Sequence, residues 1–123
     1  ARLKLSIHAY DLINIIYIVS QPGHDKQELH INDWVAVAYD SQQYVGQILS
    51  ISSKDAIKVN FLAQKKDGTF RWPKQRDTDI VSHKYIFSHG KVQKVGNCFV
   101  VSNLESIDRM YKIYKEIYMN AVI

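Results

Sequence analysis

Residues 33–48 read DWVAVAYDSQQYVGQI, and this stretch decides the fold of the 123-residue chain. In WVAVAY (34–39) two valines alternate with two alanines, so the valines face one side of a strand and the alanines the other. The polar tetrapeptide DSQQ predicts a turn, and YVGQILSI (44–51) predicts the return strand. Gly46 in that strand indicates a bulge, a bend or a close backbone approach. We therefore expect an antiparallel hairpin here.

Further strand patterns follow this hairpin. AIKVNFLA (56–63) alternates apolar and polar residues, and QKKDG (64–68) contains Asp-Gly, a strong hairpin signal. TFRW (69–72) ends at Pro73, and DIVSHKYIFS (79–88) predicts one more extended segment with a short turn inside it. The segments between consecutive predicted strands are too short for the crossover connections of a parallel sheet. The pattern therefore predicts a small antiparallel barrel or sandwich.

The N-terminal part of the chain is less regular. Residues 3–20 fit either strand or helix, and SQPGHDKQELHIND (20–33) predicts a loop. The apolar run LINIIYIVS (12–20) is too short to span a membrane, and no signal-peptide cleavage site follows it, so we expect no membrane partner. The chain begins at Ala1 rather than methionine, which is compatible with a piece of a longer protein.

The C-terminal part predicts a hairpin at 89–102 and then an amphipathic helix. Ser102 and Glu105 have the spacing of a capping box at the start of that helix. The apolar stripe of the helix contains three tyrosines that could pack against the barrel or, as the alternative, form a surface for a second copy or another protein. These tyrosines are Tyr111, Tyr114 and Tyr118.

Positive charge is concentrated in one part of the chain. The net charge of +4 divides into −2 for residues 1–53, +6 for residues 54–94 and zero for residues 95–123. A basic segment of this kind attracts nucleic acid or an acidic partner, or else is a solvated surface. The candidate nucleic-acid-binding residues, interleaved with two aromatic side chains, are Lys65, Lys66, Arg71, Lys74 and Arg76.

Residues 32–88 resemble a Tudor-like, SH3-type barrel, whose opening pattern is similar to DWVAVAY followed by YVGQI. The later FRWPKQRDTDIV is similar to a Trp-Pro-containing variant of this barrel in chromatin- or mobile-element-associated proteins. The expected fold is therefore mainly β (α+β), an SH3/Tudor-like antiparallel barrel with a C-terminal amphipathic helix. We expect an N-terminal extension at 1–31, the barrel at 32–88, and a hairpin plus helix at 89–123.

The resemblance implies an aromatic cage that would hold a methylated lysine or arginine by cation–π attraction. Its walls would be Tyr39, Tyr44, Phe61 and Trp72, and its polar contacts Asp40 and Asn60. The alternative is that Tyr39, Tyr44 and Phe61 mainly pack the interior of the barrel. Lys65 and Lys66 stand where such a cation would approach, and their charge opposes its binding.

No motif in the sequence supports catalysis or a cofactor. The five histidines do not pair with the single cysteine, Cys98, at metal-ligand spacing, and no phosphate-binding loop or nucleophile motif is present. One cysteine also excludes an internal disulfide, which suits a nuclear or cytoplasmic protein. We expect a non-catalytic recognition module of a larger nuclear protein that binds nucleic acid or a protein tail. The alternatives are a scaffold or oligomerisation domain that uses the terminal helix and, with less support, a methyl-lysine or methyl-arginine reader.

Overall fold

The computed structural model describes residues 28–39 and 41–122, with side chains described as far as Ile117. Within that part of the chain the fold is mainly β, with two antiparallel sheets followed by one helix. A 3-10 helix spans His83–Tyr85, and helix α1 spans Leu104–Val122. The strands are β1 (Trp34–Tyr39), β2 (Gln42–Ser53), β3 (Ala56–Phe61), β4 (Ala63–Gln64), β5 (Phe70–Arg71), β6 (Thr78–Val81), β7 (Ile86–His89), β8 (Val92–Val95) and β9 (Cys98–Val101).

The first sheet has the strand order β6-β3-β2-β1-β7. The predicted hairpin is confirmed: β1 covers WVAVAY, and its pairing with β2 runs from Trp34 opposite Gln47 to Tyr39 opposite Gln42. Ser41 in the turn has φ of 59°, in the left-handed region. The extended segment predicted at 79–88 is divided by the 3-10 helix into β6 and β7.

Gly46 in β2 is required by close packing against β3. A Cβ atom at this position would lie 2.5 Å from Cγ1 of Val59 and 2.8 Å from the carbonyl oxygen of Asn60. Both distances are shorter than real Cβ contacts, so any larger residue would push β3 away. The close approach predicted from the sequence is therefore present.

Strand β1 is buried on both faces, which explains why its sequence contains almost no polar residue. Val35, Val37 and Tyr39 face a first core, and Ala36 and Ala38 face a second, all five with no exposed surface. The small alanines leave room for the elements that cover this second face. The first core is completed by residues of β2, β3, β6, β7 and the 3-10 helix, including Ile48, Ile57, Val59, Phe61, Val81, Tyr85 and Ile86.

The first sheet curls around the first core. The hydroxyl of Tyr39 in β1 donates to the carbonyl of Ile80 in β6 at 3.3 Å, although β2 and β3 separate these two strands in the sheet. The Tyr39 ring also lies 6.0 Å from the ring of Tyr85. Among the described residues no ladder joins β6 to β7, so the sheet is curled without being closed by hydrogen bonds.

The second sheet, in the order β4-β5-β9-β8, covers the outer face of β1 together with α1. The predicted hairpin at 89–102 is confirmed as β8–β9, with Gly96 at φ of 61° in its turn. Phe70 of β5 pairs with Phe99 of β9, so this hairpin shares a sheet with strands from the 32–88 segment. The second core contains Val45, Leu62, Phe70, Phe87, Phe99, Val101, Ile107 and Tyr114 besides the two alanines.

The predicted terminal helix is present, but its start differs in detail from the capping box. The hydroxyl of Ser102 donates to the carbonyl of Lys91 at 3.3 Å instead of capping the helix. Asn103 makes the stronger connection: its Oδ1 accepts from the N–H of Lys91 at 2.7 Å, and its Nδ2 donates to the carbonyl of His89 at 2.9 Å. The helix start is thus held against the β7–β8 connection.

The predicted N-terminal extension falls almost entirely outside the described residues. Of residues 1–31 only 28–31 are described, and Leu29 packs against the first core. The choice between strand and helix for residues 3–20 likewise lies outside them. No helix within the described ranges combines the length and the apolar character that crossing a membrane requires.

Candidate functional site

Three aromatic rings meet on the outer face of the first sheet. Trp34 and Trp72 stack with ring centroids 5.7 Å apart and planes inclined by 26°. Phe99 packs against both, with its centroid 5.4 Å from Trp34 and 5.5 Å from Trp72. Phe99 is buried, whereas 37% of Trp72 is exposed. We call these three residues the tryptophan platform, because they form an aromatic surface of which Trp72 is the open part.

The platform is built from three separate segments. Trp34 begins β1 and packs on the second core, and its carbonyl accepts the N–H of Gly90 at 2.8 Å. Phe99 is fixed by its pairing with Phe70 across β9 and β5. Trp72 follows β5 directly and precedes Pro73, which has no N–H to continue the strand. The chain therefore leaves the sheet at the point where the Trp72 ring lies against Trp34.

A row of polar side chains runs from Trp34 across the same face of the sheet. Trp34 is paired with Gln47, Gln47 with Asn60, and Asn60 with Thr78. Directly opposed residues of an antiparallel sheet point to the same side, so this row lies beside the platform. The Nε2 of Gln47 donates to the carbonyl of Asn32 at 3.2 Å, and Oδ1 of Asn60 is buried without a hydrogen-bond partner.

The predicted basic residues lie on the β4–β5 hairpin and on the connection from β5 to β6. Four of them are exposed: Lys66, Arg71, Lys74 and Arg76. Lys65 is half-buried, with its Nζ 3.5 Å from the sulfur of Cys98 and 4.0 Å from Oδ2 of Asp67. Four exposed cations thus lie within six residues of Trp72 in the sequence, and the fifth, Lys65, is engaged in local contacts.

The tip of the β4–β5 hairpin carries one acidic group that stays ionised. The Oδ1 of Asp67 accepts from the hydroxyl of Thr69 at 2.6 Å and from its backbone N–H at 3.0 Å. These two hydrogen bonds, with a smaller contribution from Lys65, hold the pKa of the Asp67 carboxyl below its ordinary value of 3.8. Gly68 supplies the positive φ of 87° that the turn needs.

The four rings predicted to form one aromatic cage do not line a common cavity. Tyr39 and Phe61 have no exposed surface and pack in the first core, 6.4 Å apart. Tyr44 is half-buried against Phe61, and Trp72 lies on the opposite face of the sheet with Trp34. Alternation along the strands turns Tyr39 and Phe61 into the curl of the sheet, which is the physical reason for this correction.

Of the two polar residues assigned to the cage, one lies on the other face of the sheet and one lies outside the described residues. Asn60 belongs to the polar row beside Trp34, on the face opposite Tyr39 and Phe61. Asp40 lies outside the described residues.

The helix tyrosines face the sheet. Phe87 of β7 lies 5.7 Å from the ring of Tyr111 and 5.9 Å from that of Tyr114, and only 5% of Tyr114 is exposed. Burial raises the pKa of the Tyr111 hydroxyl above its ordinary value of 10.0, and nearby Tyr44 adds to the rise. The side chain of Tyr118 lies outside the described residues. Tyr111 and Tyr114 therefore contribute to packing within the domain.

Sequence reasoning missed two contributors to the site. Trp34 was interpreted only as the start of a strand, since nothing local signals its contact with Trp72. Lys94 is exposed and paired with Phe99 across β8 and β9, and only the register of that hairpin places it near the platform.

Within the described ranges no group of three or more histidine, cysteine, aspartate or glutamate side chains could hold a metal ion.

No family model, curated protein or solved structure matches the sequence. The geometry of the described residues is therefore the basis for the function proposed below.

Proposed function

We propose that this chain is a non-catalytic recognition module, built on an SH3-like barrel, that binds single-stranded nucleic acid through the tryptophan platform and the cations around it. The observation that carries the proposal is the stacked pair of Trp34 and Trp72, whose exposed member lies between Arg71 and Lys74 in the chain. A nuclear protein is the host that this charge and activity suit best.

The curl of the first sheet supports the SH3-like part of the proposal. The hydrogen bond from Tyr39 to Ile80 links β1 with β6 across the first core. Val81 of β6 and Ile86 of β7 both enter this core, although their strands are at opposite edges of the sheet. A flat sheet would keep its two edges apart, whereas a barrel-like curl brings them to one core.

Base stacking is the interaction that the platform offers. An exposed ring accepts any base face, and each stacked base contributes about 1–3 kcal/mol. Bases are available for such stacking in a single strand, whereas a duplex holds them in its own stack. Trp34 and Phe99 pack against the ring of Trp72 and hold it in one orientation, so little side-chain conformational entropy is lost when a base binds.

The exposed cations supply the attraction to phosphate. Lys66, Arg71, Lys74 and Arg76 carry no acidic partner among the described ion pairs. Neutralising phosphates releases counterions, and with single strands the logarithm of affinity falls with the logarithm of salt by about 0.7 per phosphate contact. Four contacts would give a slope of roughly −3.

The other two hypotheses from the sequence have less support. A scaffold that uses the helix tyrosines would compete with their packing on Phe87. A methyl-lysine or methyl-arginine reader would need open rings, and Tyr39 and Phe61 have no exposed surface.

Fluorescence anisotropy with a labelled single-stranded oligonucleotide tests the proposal. We expect binding that weakens steeply with salt, and a loss of about tenfold or more in affinity for Trp72→Ala, since one stack is removed. The matched control is Ile80→Ala, which truncates an exposed apolar side chain of β6 and should leave affinity unchanged.

The charge contribution has its own matched pair of variants. Arg71→Ala with Lys74→Ala should weaken binding and flatten the salt dependence. Arg109→Ala with Lys112→Ala removes the same charge from the exposed face of α1. This control should change the affinity and its salt dependence much less. Equal losses from the two double variants, or unchanged affinity in a folded Trp72→Ala protein, would reject this binding site.

A further inference from the structure

Strand β8 lies at an edge of the second sheet. In the order β4-β5-β9-β8 it pairs with β9, and no ladder among the described residues joins its other side. Gln93, Lys94 and Val95 are exposed, so the described part of the chain leaves most of this strand uncovered. An edge of this kind presents backbone N–H and C=O groups on which another strand can form a ladder.

The hydrogen bonds to β9 show which backbone groups of β8 face the open edge. The N–H of Ser102 donates to the carbonyl of Lys91 at 2.8 Å, so these two residues form a hydrogen-bonded pair. Hydrogen-bonded pairs alternate with non-hydrogen-bonded pairs along an antiparallel ladder. Every second residue from Lys91 onward therefore bonds to β9, whereas the N–H and C=O groups of Val92 and Lys94 point to the open edge.

The side chains of β8 and its flank make this edge basic. Lys91 and Lys94 are exposed, and the ion pairs between described residues include neither of them. The chain has no aspartate or glutamate in residues 80–104. Val95 is 58% exposed, and exposed Val100 lies on the same face of the hairpin. The edge thus combines two cations with an apolar position.

A second copy of the chain is a poor occupant of this edge. Antiparallel pairing of two β8 strands about a two-fold axis would bring Lys91 and Lys94 of both copies into one short ladder. Like charges in a ladder repel, and lysine on an edge strand opposes self-association. Nucleic acid lacks the alternating N–H and C=O groups that would complete the ladder. The same lysines attract a strand that carries carboxylates at matching positions.

We propose that β8 binds an extended acidic segment of a partner protein as an added antiparallel strand. Opposed positions then define five residues of the segment, which from its N-terminus face Val95, Lys94, Gln93, Val92 and Lys91. The matching residue types are branched apolar, acidic, polar, branched apolar and acidic, as in Val-Glu-Thr-Val-Glu. Main-chain hydrogen bonds supply the affinity, and the side-chain pairs supply the specificity. Binding of this segment does not depend on nucleic acid, although Lys94 lies near the tryptophan platform.

Nuclear magnetic resonance titration of the whole chain with the capped peptide Ser-Val-Glu-Thr-Val-Glu-Ser tests this inference. We expect saturable shifts centred on the amides of Val92 and Lys94, with slower hydrogen exchange at both, because their N–H groups enter a ladder. The peptide with lysine in place of both glutamates should bind about tenfold more weakly, since two attractive pairs become repulsive. Equal binding of the two peptides, or no binding, would overturn the inference. Shifts of the same amides with protein concentration alone would assign the edge to a second copy and overturn it too.

Two N-methylated peptides distinguish strand addition from attraction between charges. Methylation of the backbone nitrogen of the first glutamate blocks an N–H that faces β8, whereas methylation at threonine blocks one that points away. The two peptides have the same composition and charge. We expect the first modification to abolish binding and the second to preserve it. Equal affinities would show that no ladder forms.

A charge exchange tests the register. Lys94→Glu should weaken binding of the original peptide and strengthen binding of the peptide whose first glutamate is replaced by lysine. Lys112→Glu changes the total charge by the same amount on the exposed face of α1, and it should leave the preference for the original peptide unchanged. A folded Lys94→Glu protein that still prefers the original peptide would refute the proposal, whatever the outcome of the oligonucleotide experiment.

Discussion

The rings of Trp34 and Trp72 stack face to face across two segments that are far apart in the chain, and Phe99 packs against both. This contact explains how the domain keeps a tryptophan with 37% of its surface exposed. One face of Trp72 is covered by its neighbours, and that contact also holds the ring in a fixed orientation. The same pair thus contributes to packing and leaves an aromatic surface exposed to solvent.

The two members of the stack should differ in their effect on stability. Trp72→Ala removes a partly exposed ring, and we expect it to lower the free energy of unfolding by about 1 kcal/mol for the lost aromatic contacts, in addition to the cost of the apolar surface that it uncovers. Trp34→Ala should cost more, since Trp34 packs against the second core as well. Urea denaturation measures both. Equal losses would mean that Trp72 acts as a core residue and would count against the platform as an open surface.

Gly46 should not tolerate a methyl group. A Cβ atom there would lie 2.5 Å from Val59 and 2.8 Å from the backbone of Asn60, so Gly46→Ala should lower the free energy of unfolding by about 1–3 kcal/mol through overpacking. Gly90→Ala is the matched control, because the nearest atom to its Cβ would be 3.5 Å away. Urea denaturation measures the free energy of unfolding of both variants. A larger loss for Gly90→Ala than for Gly46→Ala would contradict the close packing at Gly46.

The sequence predicts the elements of this fold better than it predicts the site. Strand β1 was predicted with its observed limits because WVAVAY is bounded by polar residues on both sides. Alternation also indicated that Val35 and Val37 share one face of the strand, and in the structure Tyr39 lies on that face with them. It could not indicate that the sheet curls over that face, and for this reason the sequence left Tyr39 and Phe61 as candidates for an open cage as well as for the core.

Contacts between distant segments account for the remaining differences. The pairing of Phe70 with Phe99 joins the predicted barrel segment to the terminal hairpin, and no local pattern signals it. The platform depends on this pairing, since Phe99 supports both tryptophans. The five predicted cations lie on the β4–β5 hairpin and the connection that follows it. Their clustering along the chain was visible in the sequence because charge density is a local property.

The turn at Asp67 makes a prediction about pH. Thr69→Val removes the strongest hydrogen bond to the carboxyl, so the pKa of Asp67 should rise toward its ordinary value of 3.8. Because the folded-state pKa is lowered, the turn is most stable above that value and loses stability as pH falls through the folded pKa. Titration of the side-chain carboxyl signals by nuclear magnetic resonance measures the change. Thr78→Val, which changes a threonine outside the turn, is the control and should leave the pKa of Asp67 unchanged.

Asn103 should hold the start of α1 more strongly than Ser102. Asn103→Ala removes the bonds to the N–H of Lys91 and the carbonyl of His89, and we expect it to lower the free energy of unfolding by about 1–3 kcal/mol. Ser102→Ala removes one exposed bond of 3.3 Å and should cost less than about 0.5 kcal/mol.

The two variants at the helix start decide between the capping box indicated by the sequence and the anchor in the structure. A capping box would make Ser102→Ala the costlier change, since Ser102 would then satisfy a free N–H of the first turn. The observed anchor makes Asn103→Ala costlier and loosens the β7–β8 connection together with the helix start. Hydrogen exchange at the amide of Lys91 should therefore accelerate in Asn103→Ala, and protection equal to that of the unmodified chain would show that Asn103 is not the anchor.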